Sequence, residues 1–186
     1  MLVLEPQDAS ANDVLRLLWS NFPLQQPDAL IVGGCGGFTP NSCGDWPLTF
    51  NQLDGVQEVQ VTKWTETFCE ALSLTSRPND NYWLSDVESI RELNVGESRC
   101  VFLPALSSLT LTDGPIPLDF PVWLKAREQA GYQLTNLCMR NTVWKDDAGE
   151  ELAGLESLKK FEELREVVGE HVMKLECTIS EEEVSS

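Results

Sequence analysis

Apolar positions recur along the chain in two rhythms, and the alternation between them predicts a protein of mixed helices and strands. Leu15, Leu18, Trp19 and Phe22 fall at helical spacing behind the capping pattern Ser10-Ala11-Asn12-Asp13, and Pro23 ends that helix. Short apolar runs at Leu2–Leu4 and Ala29–Val32 flank it and read as buried strands. Val56–Val61 predicts another strand, with Thr62 as a possible cap for a helix carrying Trp64, Phe68, Ala71 and Leu72 on one face. Ser85-Asp86-Val87-Glu88 forms a full capping box ahead of Val87, Ile90 and Leu93.

Further along, Cys100–Leu103 and Leu106–Leu111 predict strands, separated by the turn Asp113-Gly114 from a helix that starts at Asp119 and stops at Gly131. Tyr132–Trp144 reads as one long strand with a bulge near Asn136. A charged helix over Glu150–Val168 places Leu155, Leu158, Phe161, Leu164 and Val168 inward, and Gly169 caps it. The rhythm then changes to two, with Met173, Leu175, Cys177 and Ile179 alternating against Val172, Lys174, Glu176 and Thr178. Residues 33–54 show neither rhythm and read as an extended loop, with a short strand at Leu48–Phe50.

The expectation is a single α+β or mixed α/β domain over residues 1–180, with an acidic solvated tail at 181–186. A mixed or antiparallel sheet packed with about five helices fits the several strands that follow one another directly. No repeat period is evident in the letters. The two-faced segment Val172–Ile179 is a candidate for edge pairing in a dimer or heterocomplex.

Composition narrows the function. The chain has 186 residues, 42% of them hydrophobic, enough for a core that needs neither disulfide nor metal. Thirty Asp and Glu against 13 Lys and Arg give a formal charge of -17, which argues against direct binding of nucleic acid and of anionic membranes. No secretion signal or apolar span is read, and the six cysteines are scattered as in a protein of the reducing cytoplasm.

Candidate chemistry is sparse. Gly33, Gly34, Gly36 and Gly37 follow a strand, as in phosphate-binding turns, but Thr39 stands where the third glycine of the G-x-G-x-x-G pattern belongs and Pro40 bars an immediate helix. A glycine-rich turn packed on the sheet explains the segment better. Cys35 within it is a weak candidate nucleophile, with the single histidine, His171, as its base. Asp45 beside Trp46 offers a possible ligand-binding couple on the same loop. No metal-ligand spacing occurs, so neither metal nor cofactor is expected.

Six tryptophans are more informative. Trp19, Trp64 and Trp123 fall on apolar helix faces, whereas Trp46, Trp83 and Trp144 sit in or beside irregular segments, where such rings either pin loops or anchor a partner. The leading expectation is a non-catalytic protein-binding module (an inhibitor, immunity protein, adaptor or assembly factor) with an acidic surface directed at a basic partner. A small enzyme or ligand-binding domain using loop 33–46 is the alternative, and a nucleic-acid mimic ranks third because Lys63, Lys125, Arg140 and Lys159 interrupt the acids.

Overall fold

The longest ladder among the described residues is built from strands that are far apart in sequence and all run the same way. In a computed structural model, the described residues are 27–33, 40–50, 53–76, 84–85, 100–146, 148–152, 154–169 and 173–176. The elements in order are β1 (Ala29–Val32), α1 (Asp45–Phe50), β2 (Glu58–Thr62), α2 (Thr65–Ala71), β3 (Leu74–Ser76), β4 (Leu84–Ser85) and β5 (Cys100–Val101). They continue with β6 (Ser108–Thr112), β7 (Pro115–Pro117), α3 (Phe120–Gln129), β8 (Asn136–Arg140), β9 (Val143–Lys145), α4 (Gly154–Val168) and β10 (Met173–Glu176).

The main sheet has five strands in the order β1-β2-β6-β8-β10, every neighbouring pair parallel. The expected mixed α/β class is thus observed, but the main sheet is neither mixed nor antiparallel. Among the described strands antiparallel pairing occurs in a small sheet, β4-β3-β5, beside one isolated antiparallel bridge between Lys145 and Glu151, and β7 pairs with β9 in a separate parallel ribbon. Four helices occur among the described residues, against about five expected. The expected helices over 12–22 and 85–93, and the strand over 2–4, fall almost wholly outside those residues; Ser85 itself lies in β4.

The sheet strands follow chain order without a reversal, so each connection returns the chain one place further along. Crossovers of one hand that all step in one direction must lie on one side of the sheet. The register shows that side. Leu30, Val59, Leu109 and Leu137 are mutually paired, as are Val32, Val61, Leu111 and Met139. Both rows belong to the core.

A repeat is present after all, in structure more than in spacing. Leu53, Val56, Val59 and Val61 match Leu103, Leu106, Leu109 and Leu111, and Leu134, Leu137 and Met139 continue the series; all are buried. The matching extends to the backbone. Asp28 O accepts from Gln57 N and Glu58 N, Gln57 O from Ser107 N and Ser108 N, and Ser107 O from Thr135 N and Asn136 N. The connections between these units differ in length, which hides the period. The result resembles a short solenoid, in which each turn contacts chiefly its neighbours.

Three local expectations need correction. Residues 45–50 form a helix, not a loop with a strand at 48–50, because Trp46 and Phe50 stand one turn apart and both enter the core. The predicted long strand over 132–144 is two strands in different sheets, parted at Asn141, whose φ is 50°. In α4, Leu155 and Leu158 are 69% and 60% exposed, and only Leu164 and Val168 are buried. Each i+3 step slips backward by roughly 60° around a helix, so Leu155 ends on the side opposite Leu164.

Candidate functional site

The side chains that point away from the connections form the second face of the main sheet. Its rows are Ala29, Glu58, Ser108 and Asn136; then Ile31, Gln60, Thr110 and Cys138; then Thr62, Thr112 and Arg140. Lys174 and Glu176 continue the second and third rows at register positions of β10. Most of these residues are half-buried or exposed, Ile31 at 73%, while Cys138 is buried. All-parallel sheets ordinarily carry helices on both faces. Among the described residues this one carries instead a polar second face that is partly exposed.

Hydroxyl and amide groups dominate that face. Asn136 Nδ2 donates to Ser108 Oγ at 3.0 Å across the β6–β8 pair. At the far end Asn141 Nδ2 donates to Asp113 Oδ1, also at 3.0 Å. Formal charge is sparse and nearly balanced, with Glu58 near one end and Arg140 at the other. A shallow groove of about 110 Å³ crosses β1, β2 and β6, lined by Ala29, Ile31, Glu58, Gln60, Ser108 and Thr110.

A second depression, of about 440 Å³, lies on the connection side. Glu66 and Glu70 of α2 line it together with Asp119, Trp123, Lys145 and Asp146. Burial, and then the neighbouring Glu66 carboxylate, raise the pKa of Glu70 above the ordinary carboxylate value. Among the described residues, no three His, Cys, Asp or Glu side chains converge as a metal ion would require.

The residues singled out from sequence are dispersed or used structurally. Cys35, Gly34, Gly36, Gly37, Trp83 and His171 lie outside the described residues. Gly33 is exposed at the end of β1, with open space where a Cβ would stand. The Asp45 carboxylate accepts from the backbone N–H groups of Asn41 and Ser42 at 2.8 and 3.2 Å, closing the turn that leads into α1.

Trp46 and Trp144 have no exposed surface. Trp46 donates its indole N–H to Thr67 Oγ1 at 3.1 Å and meets Phe68 edge-on, with centroids 4.9 Å apart. Trp144 packs edge-on against Phe161 at 5.3 Å. In this fold both rings pin segments to the core, and neither presents a surface to a partner. The Cys43 thiol is pushed up by burial and by Glu70, so it is held as the unreactive thiol.

Sequence reasoning missed the open face, although a signal for it exists. Val59-Gln60-Val61-Thr62 and Leu109-Thr110-Leu111-Thr112 alternate strictly, with one side of each strand polar. No described helix is long and apolar enough to cross a membrane. Comparison with protein-family models, with curated proteins and with solved structures finds no match.

Proposed function

We propose that the chain is a non-catalytic protein-binding module, an inhibitor, immunity protein, adaptor or assembly factor, that meets a basic protein partner through the open face of its parallel sheet. One observation carries the reading: a five-stranded all-parallel sheet keeps a continuous polar face free of helices among the described residues. Solenoid-like stacks of parallel strands present such faces as extended binding surfaces. Sparse charge in the middle of a surface is also the composition of an interface centre.

The charge of -17 supplies the second half of the argument. Spread over the molecule, it attracts a basic partner at long range, while the open face supplies short-range hydrogen bonds. The same charge disfavours nucleic acid and anionic membrane as partners. The reading places the protein in the cytoplasm, where free thiols such as Cys43, Cys69 and Cys138 stay reduced. β10 is the last strand of the ladder among the described residues, so its outer edge offers a further contact in a dimer or heterocomplex.

The test is capture of partners from the native lysate at low and high salt, comparing the wild type with Thr110→Arg and Leu158→Arg. Thr110 occupies the central strand of the face, whereas Leu158 is exposed on α4, so the pair places the same charge on two sites. A basic protein retained by wild type and L158R but lost from T110R is the expected result. Equal retention by T110R and wild type refutes the proposed surface.

A further inference from the structure

The open face is not uniform, and its β1–β2–β6 end has the form of a receptacle for one side chain. At about 110 Å³ the groove there is well below the roughly 300–1,000 Å³ typical of small-molecule and cofactor sites. Its lining divides by chemistry. Ala29 and Ile31 form an apolar border, and Ile31 is 73% exposed. Glu58, Gln60, Ser108 and Thr110 contribute oxygen acceptors on the other side. Glu58 is exposed and forms no ion pair among the described residues.

A guest that satisfies both parts needs an apolar stem and a cationic head rich in donors. Lysine and arginine have that construction: their methylene stems lie along apolar surface while the charged end reaches a polar partner. An acidic side chain would meet Glu58 and the field of the whole molecule with the wrong sign. A purely aliphatic one would leave the Glu58 carboxylate without a partner.

We infer that the groove between β1, β2 and β6 takes an arginine or lysine side chain from the protein partner, with its stem on Ile31 and Ala29 and its cation on Glu58. This rests on the open face being the partner surface, and it specifies what one part of that surface reads. The carboxylate confers preference for a cation, and the adjacent hydroxyl and amide groups take up the remaining donors.

The test is amide-resolved NMR titration of the whole protein with capped pentapeptides Gly-Gly-X-Gly-Gly, where X is arginine, lysine, citrulline or glutamate. Citrulline preserves the shape of arginine without its charge. The arginine and lysine peptides should shift the signals of Ile31, Gln60 and Thr110 together, and the citrulline and glutamate peptides should bind more weakly. Glu58→Gln, whose free spectrum should overlay that of wild type away from the substitution, should weaken the arginine peptide by about three- to fivefold, the range of a partly exposed ion pair.

The inference is overturned if the arginine peptide produces no clustered shifts at the groove, if citrulline binds as well as arginine, or if E58Q leaves the affinity unchanged. Those failures are distinct from failure of the broader reading. A captured partner lost from T110R but equally retained by E58Q would leave the open face as the binding surface and remove only the basic side chain from this groove.

Discussion

Replacing Arg127 by methionine tests what joins the helical layer to the smaller sheet. Arg127 of α3 is 1% exposed, and its guanidinium donates to Leu72 O at 3.3 Å, Phe102 O at 2.9 Å and Leu103 O at 3.0 Å. These carbonyls lie just before β3 and just after its antiparallel neighbour β5, so one side chain ties α3 to both strands at one end of that sheet. Three hydrogen bonds from a charged donor, at about 1.5–3 kcal/mol each, amount to about 5–9 kcal/mol.

Against that stands the cost of burying the charge. Burial lowers the Arg127 pKa from its ordinary value to about 10, which corresponds to about 3 kcal/mol at neutral pH. The difference predicts a net loss of about 2–6 kcal/mol for Arg127→Met, large beside the ~5–15 kcal/mol total of an ordinary domain. Arg127→Lys should recover little, because a compact ammonium cannot span carbonyls on two segments. Urea unfolding followed by tryptophan fluorescence gives the number. A methionine variant within ~0.5 kcal/mol of wild type, or more stable, would show that the desolvation cost cancels the hydrogen bonds and would refute the pinning argument.

Four further substitutions probe other contacts. Gly114→Ala drives its Cβ into Thr65 Oγ1 and close to Lys63 O, while that hydroxyl is held by Pro115 O at 2.6 Å; a loss of about 1–3 kcal/mol is expected in the same unfolding assay. Glu70 has a raised folded-state pKa, so its contribution is favourable below the unfolded value of 4.5 and is lost as pH rises through the folded one. Glu70→Gln should therefore raise Tm at pH 7 and lose that advantage as the pH falls below the unfolded value, as thermal melts at the two pH values would show. Trp46→Phe forfeits the bond to Thr67 and should cost about 1 kcal/mol more than Trp144→Phe, because the buried Trp144 Nε1 has no hydrogen-bond partner to lose among the described residues.

What the sequence discloses depends on how local each cause is. α3 begins after Asp119 and ends before Gly131, at φ 90°, and α4 ends before Gly169, at φ 87°; these boundaries follow from single residues and are legible as letters. β2 and β6 are legible from β-branched and leucine-rich runs. The helix at 45–50 is not, because Pro47 and the neighbouring glycines suggest a loop, whereas its formation depends on Trp46 and Phe50 both reaching a core assembled from distant strands. Parallel pairing is equally non-local. Alternation reveals that a strand has one apolar face but not which strand lies beside it, and the unequal connections conceal the repeat. The open face could have been found from Gln60, Thr62, Thr110 and Thr112, and it was obscured by reading these strands only for their apolar members.

The division between a molecule carrying -17 and a face carrying little net charge leads to a kinetic expectation. If the general charge only attracts the partner and the open face holds it, the two should act on different rate constants. Raising salt should slow association and alter dissociation much less, since screening acts on approach over distances beyond contact. Thr110→Arg also adds a cation to the approach, but one charge against a large negative excess changes the long-range field little. Its main effect should be steric and close-range, appearing as faster dissociation. Surface-bound kinetics with the captured partner, at two salt concentrations and with both proteins, separate these effects. If T110R changed association alone, or if salt acted chiefly on dissociation, the partner would be held by the acidic exterior instead, and the bare face of the sheet would have to be explained by solubility.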